Sequence, residues 1–190
     1  MARPFPDPDK ELDALKKFLE QGGETTLETL ETFEAAQGAD AAFDKPATVL
    51  FDITASRLLE RIADDEQQRV LLDLGMGDVK VASGFFLHLF LNTRDASTDT
   101  PADAPGFEAG FGFFCEPDQQ MPEMACPVGD LVTTSRFDVT PTLKKIAGPD
   151  DTITATIVIV PAGEEPSRDA TVAVKSAELS LVKSVVTIKS

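Results

Sequence analysis

The sequence predicts a mainly β protein, an antiparallel β-sandwich or barrel preceded by a short helical hairpin. From Pro46 onward, short runs rich in Val, Ile, Thr and Phe recur between clusters of Gly, Pro, Asp and Ser, the pattern of many short antiparallel strands. Before that point apolar residues recur at spacings of three and four, as along one face of a helix. A hydrophobic content of 42% over 190 residues is enough for one substantial core. The expected organisation is an N-terminal helical segment over 1–45 and a β-sandwich domain over 46–190.

Asp9 to Gln21 places Leu12, Leu15, Phe18 and Leu19 at helical spacing and stops at Gly22-Gly23. Thr25 to Ala36 puts Leu27, Leu30 and Phe33 on one stripe, with Thr25 or Thr26 as cap and Glu28 in the first turn. The pair reads as a helical hairpin whose narrow apolar seam packs on the β domain or on a second copy of the chain. Strands are expected at Thr48–Thr54, Arg69–Leu74 and Ser83–Asn92, with Arg57–Ile62 either strand or short helix. Gly75-Met76-Gly77-Asp78 reads as a turn, and the Pro- and Asp-rich stretch Thr93–Pro105 as a loop. Phe107 to Phe114 alternates Phe with small residues, so that Phe107, Phe111 and Phe113 are expected on one face. Further strands follow at Val132–Val139, Thr152–Val160, Thr171–Val174 and Ala177–Lys189. Between the first two, Pro141–Ala147 reads as a short helix capped by Thr140.

Charge narrows the partners. Thirty-three acidic against seventeen basic residues give a net charge of −16. Such a surface repels phosphate backbones and anionic lipid, so neither nucleic acid nor membrane is an expected partner. The start, Arg3-Pro4-Phe5-Pro6-Asp7-Pro8, is polar and lacks the apolar stretch of a secretory signal. A cytoplasmic location with reduced thiols is therefore the expectation.

Catalytic constellations are scarce. With one histidine, a Ser-His-Asp or Cys-His arrangement has to use His88, which sits mid-strand between Leu87 and Leu89 and reads as a packed or edge histidine. Histidine-based copper or zinc catalysis needs two or three imidazoles. Gly75-Met76-Gly77 lacks the helix that a phosphate-binding loop requires. The expectation is that the chain is not an enzyme.

One segment stands out chemically. Residues 115–126 read Cys-Glu-Pro-Asp-Gln-Gln-Met-Pro-Glu-Met-Ala-Cys, with both cysteines and half the methionines of the chain inside twelve residues. Thiolate and thioether sulfur together select Cu(I) over harder ions, which makes Cys115, Met121, Met124 and Cys126 a candidate metal-ligand set. Three other readings stand beside it. The cysteines can close a disulfide, worth about 2–3 kcal/mol of loop-closure entropy. The methionines can be gap-fillers in an apolar surface. Or the clustering is accidental.

The strand order carries a resemblance. Phe85-Phe86-Leu87-His88-Leu89-Phe90-Leu91-Asn92 resembles the strand "KFDVYIN" in the C-terminal domain of plant polyphenol oxidases, the tyrosinase-type dicopper enzymes. Residues 106–114 resemble that domain's "FAGSFVNVPH", residues 136–146 its "LRLGITELLEDL", a strand running into a short helix, and residues 152–163 its "SVLVTLVPRG". The resemblance covers roughly residues 46–185 and implies an antiparallel sandwich of jelly-roll type. It also implies a domain that does no chemistry itself but covers, keeps latent or helps mature a copper enzyme. The six-histidine dicopper domain has no counterpart in this sequence, nor has the helical hairpin in that domain. Where the family is often rich in histidine and lysine, this chain has its sulfur loop.

Two functional expectations result. One is an accessory protein for a tyrosinase-like copper oxidase, with Cu(I) at the loop as its only cofactor and Phe107, Phe111, Phe113 and Phe114 as a hydrophobic plug against the partner. The other is a structural interaction module in which the loop is a disulfide clip and the N-terminal helices make a homo-oligomer.

Overall fold

The computed structural model describes residues 16–18, 20, 22–35, 38–63, 65, 67–80, 85–113, 133–146, 148, 152–162 and 170–188. Nine strands and two helices lie within them: β1 (Gly23–Glu34), β2 (Ala39–Ala42), β3 (Ala47–Thr54), α1 (Ala55–Ala63), β4 (Gln68–Lys80), β5 (Phe85–Leu91), β6 (Phe107–Phe113), β7 (Thr133–Asp138), α2 (Thr140–Ile146), β8 (Thr152–Pro161) and β9 (Thr171–Ile188). They form two antiparallel sheets, one in the order β1-β9-β4-β7 with β2 also on β9, the other in the order β3-β8-β5-β6. The predicted β-sandwich is what the chain forms.

Alternation builds the core between the sheets. Val49, Phe51 and Ile53 of β3, Leu87 and Leu89 of β5, and Ile157 and Ile159 of β8 point inward from one sheet. Leu72 and Leu74 of β4 and Leu179 and Leu181 of β9 meet them from the other, each less than a tenth exposed. Every second residue faces the core because the side-chain period of a strand is two. The helices close one end: Leu58 and Ile62 of α1 and Leu143 of α2 are buried in the same core.

At α2 the predicted cap works differently. The Thr140 hydroxyl accepts the Val70 N–H at 2.8 Å, tying the helix start to β4. The N–H of Thr140 donates instead to Asp138 Oδ1 at 3.1 Å, and the first helical bond runs from the Leu143 N–H to the Val139 carbonyl. Arg57–Ile62, open between strand and helix in the sequence, is helical, with the Thr54 hydroxyl accepting the Arg57 N–H at its start.

Four expectations are corrected, and β-bulges account for three of them. Thr25–Ala36 is not the second arm of a helical hairpin; it is β1, paired along β9 from Gly23↔Ile188 to Glu34↔Glu178. Leu30 is an extra residue in that ladder, between Thr29↔Val182 and Glu31↔Leu181, so Leu27 and Phe33 point to opposite faces. Leu27 and Leu30 are 51% and 44% exposed while Phe33 packs on the core, so these residues make no helical seam for a second copy. Of the first predicted arm, residues 16–18 and 20 are helical and the remainder lies outside the described residues.

Gly75–Asp78 is not a turn. β4 runs straight through it, with register shifts between Gly75 and Met76 and between Gly77 and Lys80. Asp78 takes a left-handed φ of 49°, and its carboxylate pairs with Lys175, the bulged residue of β9. That same continuity fuses the two predicted C-terminal strands into one 18-residue β9. The fourth correction concerns β6. Leu89↔Ala109 is followed by Phe90↔Phe107, leaving Glu108 as the extra residue and flipping the strand's parity. Phe111 therefore packs on the central core, whereas Phe107 joins Phe90, Ala96 and Val158 on the outer face.

Candidate functional site

Three places in the fold bear on function: the side from which the sulfur loop departs, the outer face of the five-stranded sheet, and the outer face of the four-stranded sheet.

Among the described residues β6 is the edge of one sheet and β7 the edge of the other. Their facing sides are stapled by Phe111 and Phe137, with ring centroids 6.0 Å apart and planes inclined by 30°. Residues 114–132, which hold Cys115, Met121, Met124, Cys126 and Phe114, connect these two edges and lie outside the described residues. Phe113 closes β6 opposite Phe85, which is in turn opposite Pro161 of β8, and Thr133 opens β7 opposite Met76. The loop thus departs from the end of the sandwich away from α1 and α2. Of the four phenylalanines expected on one plug, Phe107 and Phe111 face opposite ways across an edge strand.

On the outer face of the five-stranded sheet, the registers set Glu34, Glu178, Asp73 and Arg136 in one row across β1, β9, β4 and β7. Arg136 grips Asp73 with two parallel bonds, Nε to Oδ1 at 2.7 Å and Nη2 to Oδ2 at 2.8 Å. The Asp73 carboxylate raises the guanidinium's pKa above its ordinary value, keeping it charged. The Ser180 hydroxyl donates to Glu178 at 3.0 Å. In the next row Gly75 lies between Ser176 and Thr134. A side chain at Gly75 would overlap the Ser176 hydroxyl, so the missing Cβ opens a hollow of about 400 Å³ beside the charged row. Lys175 completes the lining, already paired with Asp78. Both cations of this cleft are neutralised by a carboxylate, leaving Glu34 and Glu178 in excess. The cleft suits a hydrogen-bond donor or a cationic side chain.

Around Phe90 the outer face of the four-stranded sheet is apolar and covered. His88, Phe90 and Phe107 form an edge-to-face cluster, His88–Phe107 at 5.4 Å, Phe90–Phe107 at 5.6 Å and His88–Phe90 at 6.2 Å. Ala96 and Ala104 from the 93–106 loop pack over it. Burial holds the His88 imidazole below its ordinary pKa, so it is neutral at physiological pH. Gly110 lies opposite His88, and a Cβ there would come within 3.3 Å of its Cδ2. This is the packed histidine that the sequence suggested. Glu108, pushed out of register by the bulge, has a carboxyl whose Oε2 is buried without a partner. Burial raises its pKa, the Thr142 hydroxyl hydrogen-bonded to it opposes that shift, and Asp138 adds to it.

Among the described residues no group of three His, Cys, Asp or Glu side chains is placed to hold a metal ion. No helix of the described residues is long and apolar enough to cross a membrane. The charged row was not singled out in the sequence; the signal was there in the alternation of Arg136 with Ser135 and Phe137 and of Asp73 with Leu72 and Leu74, but it needed the register to align them.

No protein-family model matches the chain, and no curated protein matches it. Among solved structures the chain is similar to latent aurone synthase (polyphenol oxidase) from natural source, at 18% identity and a TM-score of 0.35. That match covers 81% of this chain and 25% of the other, so the chain spans about a quarter of the length of the solved protein.

Proposed function

We propose that the chain is a non-catalytic accessory protein that binds, shields or matures a partner copper oxidase of tyrosinase type, and that Cys115, Met121, Met124 and Cys126 hold Cu(I) for that partner. One observation supports this reading above the rest: the four segments resembling the polyphenol oxidase accessory domain coincide in order with β5, β6, β7–α2 and β8. The third is the most specific. A strand running into a short helix is what that resemblance implies for residues 136–146, and β7 passes into α2 with only Val139 between them.

The chemistry of the loop supports the metal. Two thiolates and two thioethers match the soft Cu(I) ion, and the only histidine is held apart in the Phe90–Phe107 cluster. The plug takes a different form from the one expected. Phe107 and Phe111 face opposite ways on an edge strand, so a partner that meets β6 does so along its edge and touches both faces.

Anaerobic titration with Cu(I) against a chromophoric chelator, on the intact chain and on Cys115→Ser/Cys126→Ser, tests the metal. Stoichiometric, tight binding lost in the double variant is expected; equal binding by both proteins discards the copper role. The partner is tested separately, by mixing the copper-loaded chain with an apo tyrosinase-type oxidase that lacks a C-terminal domain. Co-elution and onset of oxidase activity are expected, and intact copper binding with neither result discards the partner role alone.

A further inference from the structure

A second, smaller pocket of about 150 Å³ opens on the four-stranded sheet, lined by Asn92, Arg94, Thr152 and Thr154. We propose that it binds a compact oxyanion, a carboxylate or phosphate group, independently of any metal or partner at the other end of the sandwich.

The pairing of β3 with β8 is interrupted between Leu50↔Thr154 and Thr54↔Thr152. On the other side of β8, Asn92 follows the last residue of β5 and lies beside Thr154. Its backbone N–H donates to the Thr154 carbonyl at 2.9 Å, and its side-chain Oδ1 accepts the Thr154 N–H at 2.9 Å. To do both, Asn92 adopts a left-handed φ of 50°, a conformation that asparagine tolerates better than most residues.

That clamp fixes the direction of the amide. With Oδ1 committed to a backbone N–H, the two hydrogens of Nδ2 are turned the other way. Nδ2 is buried there with no acceptor. Thr154 is fully buried, and its Oγ1 is likewise without a partner. Leaving two buried polar groups unsatisfied is costly, which marks the pocket as built for something that accepts hydrogen bonds. Arg94 supplies the charge. It makes no ion pair among the described residues, although the chain carries 33 carboxylates. Among the described residues no carboxylate lines the pocket. An amide donor, a hydroxyl donor and a guanidinium with no ion pair among the described residues, around so small a volume, are complementary to two or three oxygens carrying negative charge. Water satisfies the first two groups but gives the guanidinium no counter-charge.

The experiment is a titration of the 15N-labelled full chain with inorganic phosphate and, separately, with acetate, at fixed ionic strength held by chloride. Saturable shifts of the Asn92 side-chain amide and the Arg94 Nε–H are expected. The arm that saturates at lower concentration shows whether a tetrahedral or a planar oxyanion is preferred. Arg94→Gln, an exposed loop substitution that leaves the core untouched, is expected to weaken binding by about tenfold or more, the scale of one charge-assisted hydrogen bond. Thr154→Val is expected to weaken it too while raising thermal stability in anion-free buffer, since it removes the orphaned hydroxyl. Shifts that never saturate in either arm, or saturation at the same concentration in Arg94→Gln, would overturn the proposal.

Discussion

The two outer faces of the sandwich solve the same problem in opposite ways. Each sheet turns one face to the core and needs another use for its second face. The five-stranded sheet leaves part of its second face open and fills that part with charge, in the row Glu34, Glu178, Asp73 and Arg136. The four-stranded sheet fills it with Phe90, Phe107 and Val158 and lays the 93–106 loop over them. The difference teaches where stability and recognition divide. The covered patch adds a small second core, whereas the charged row contributes little to stability and lines a cleft.

That division can be broken or sharpened by substitution. Phe90→Ala strikes the covered face at a fully buried ring and is expected to cost about 3–5 kcal/mol in denaturant unfolding, releasing the 93–106 loop to proteolysis. Gly106→Ala comes next, at about 1–3 kcal/mol, because the added methyl meets the Leu91 carbonyl oxygen and the Thr93 hydroxyl where the loop rejoins β6. If this variant unfolds at the wild-type denaturant midpoint, the loop does not hold the covered face closed.

Glu108→Gln should show itself mainly in pH dependence. The folded-state pKa of Glu108 is raised, so the native protein binds that proton more tightly than the unfolded chain does. The contribution is fully present below the unfolded pKa and is lost as pH rises through the folded one. The glutamine variant is therefore expected to gain stability relative to wild type as pH rises through the carboxylate range. Thermal melts at acid and neutral pH check this; an identical difference at both would show that the carboxyl titrates normally. Smallest of all, Arg136→Met on the open face is expected to cost under about 1 kcal/mol, shrinking further in high salt. A larger or salt-independent loss would erase the contrast between the faces.

Most strands were legible because Val, Ile, Thr and Phe alternate between turn residues, as in β3, β5, β7 and β8. What stayed hidden was the bulges. Leu27, Leu30 and Phe33 are three apart, which reads as a helix under strict periodicity and as a strand once Leu30 is recognised as an insertion. The same insertion at Glu108 separates Phe107 from Phe111, and the bulges beside Gly75 and Asp78 make a strand look like a turn. One added residue reverses every side chain beyond it, and no local pattern announces where that happens. The clusters at both outer faces were illegible for the same reason. Asp73, Arg136 and Glu178 become neighbours only through register, and so do Asn92 and Thr154. The sulfur loop needed no register, since its residues are adjacent in sequence.

One strand has a consequence for how the molecule is made. β9 is the shared partner of β1, β2 and β4, and among the described residues β1 and β2 pair with no other strand. Gly23 waits for Ile188, and Ala39 for Val174. During synthesis the amino-terminal strands leave the ribosome long before their complement exists, carrying open edges through most of translation. Contacts of such long sequence separation slow folding. The four glutamates of β1, at positions 24, 28, 31 and 34, keep that waiting edge charged and so discourage two nascent chains from pairing with each other.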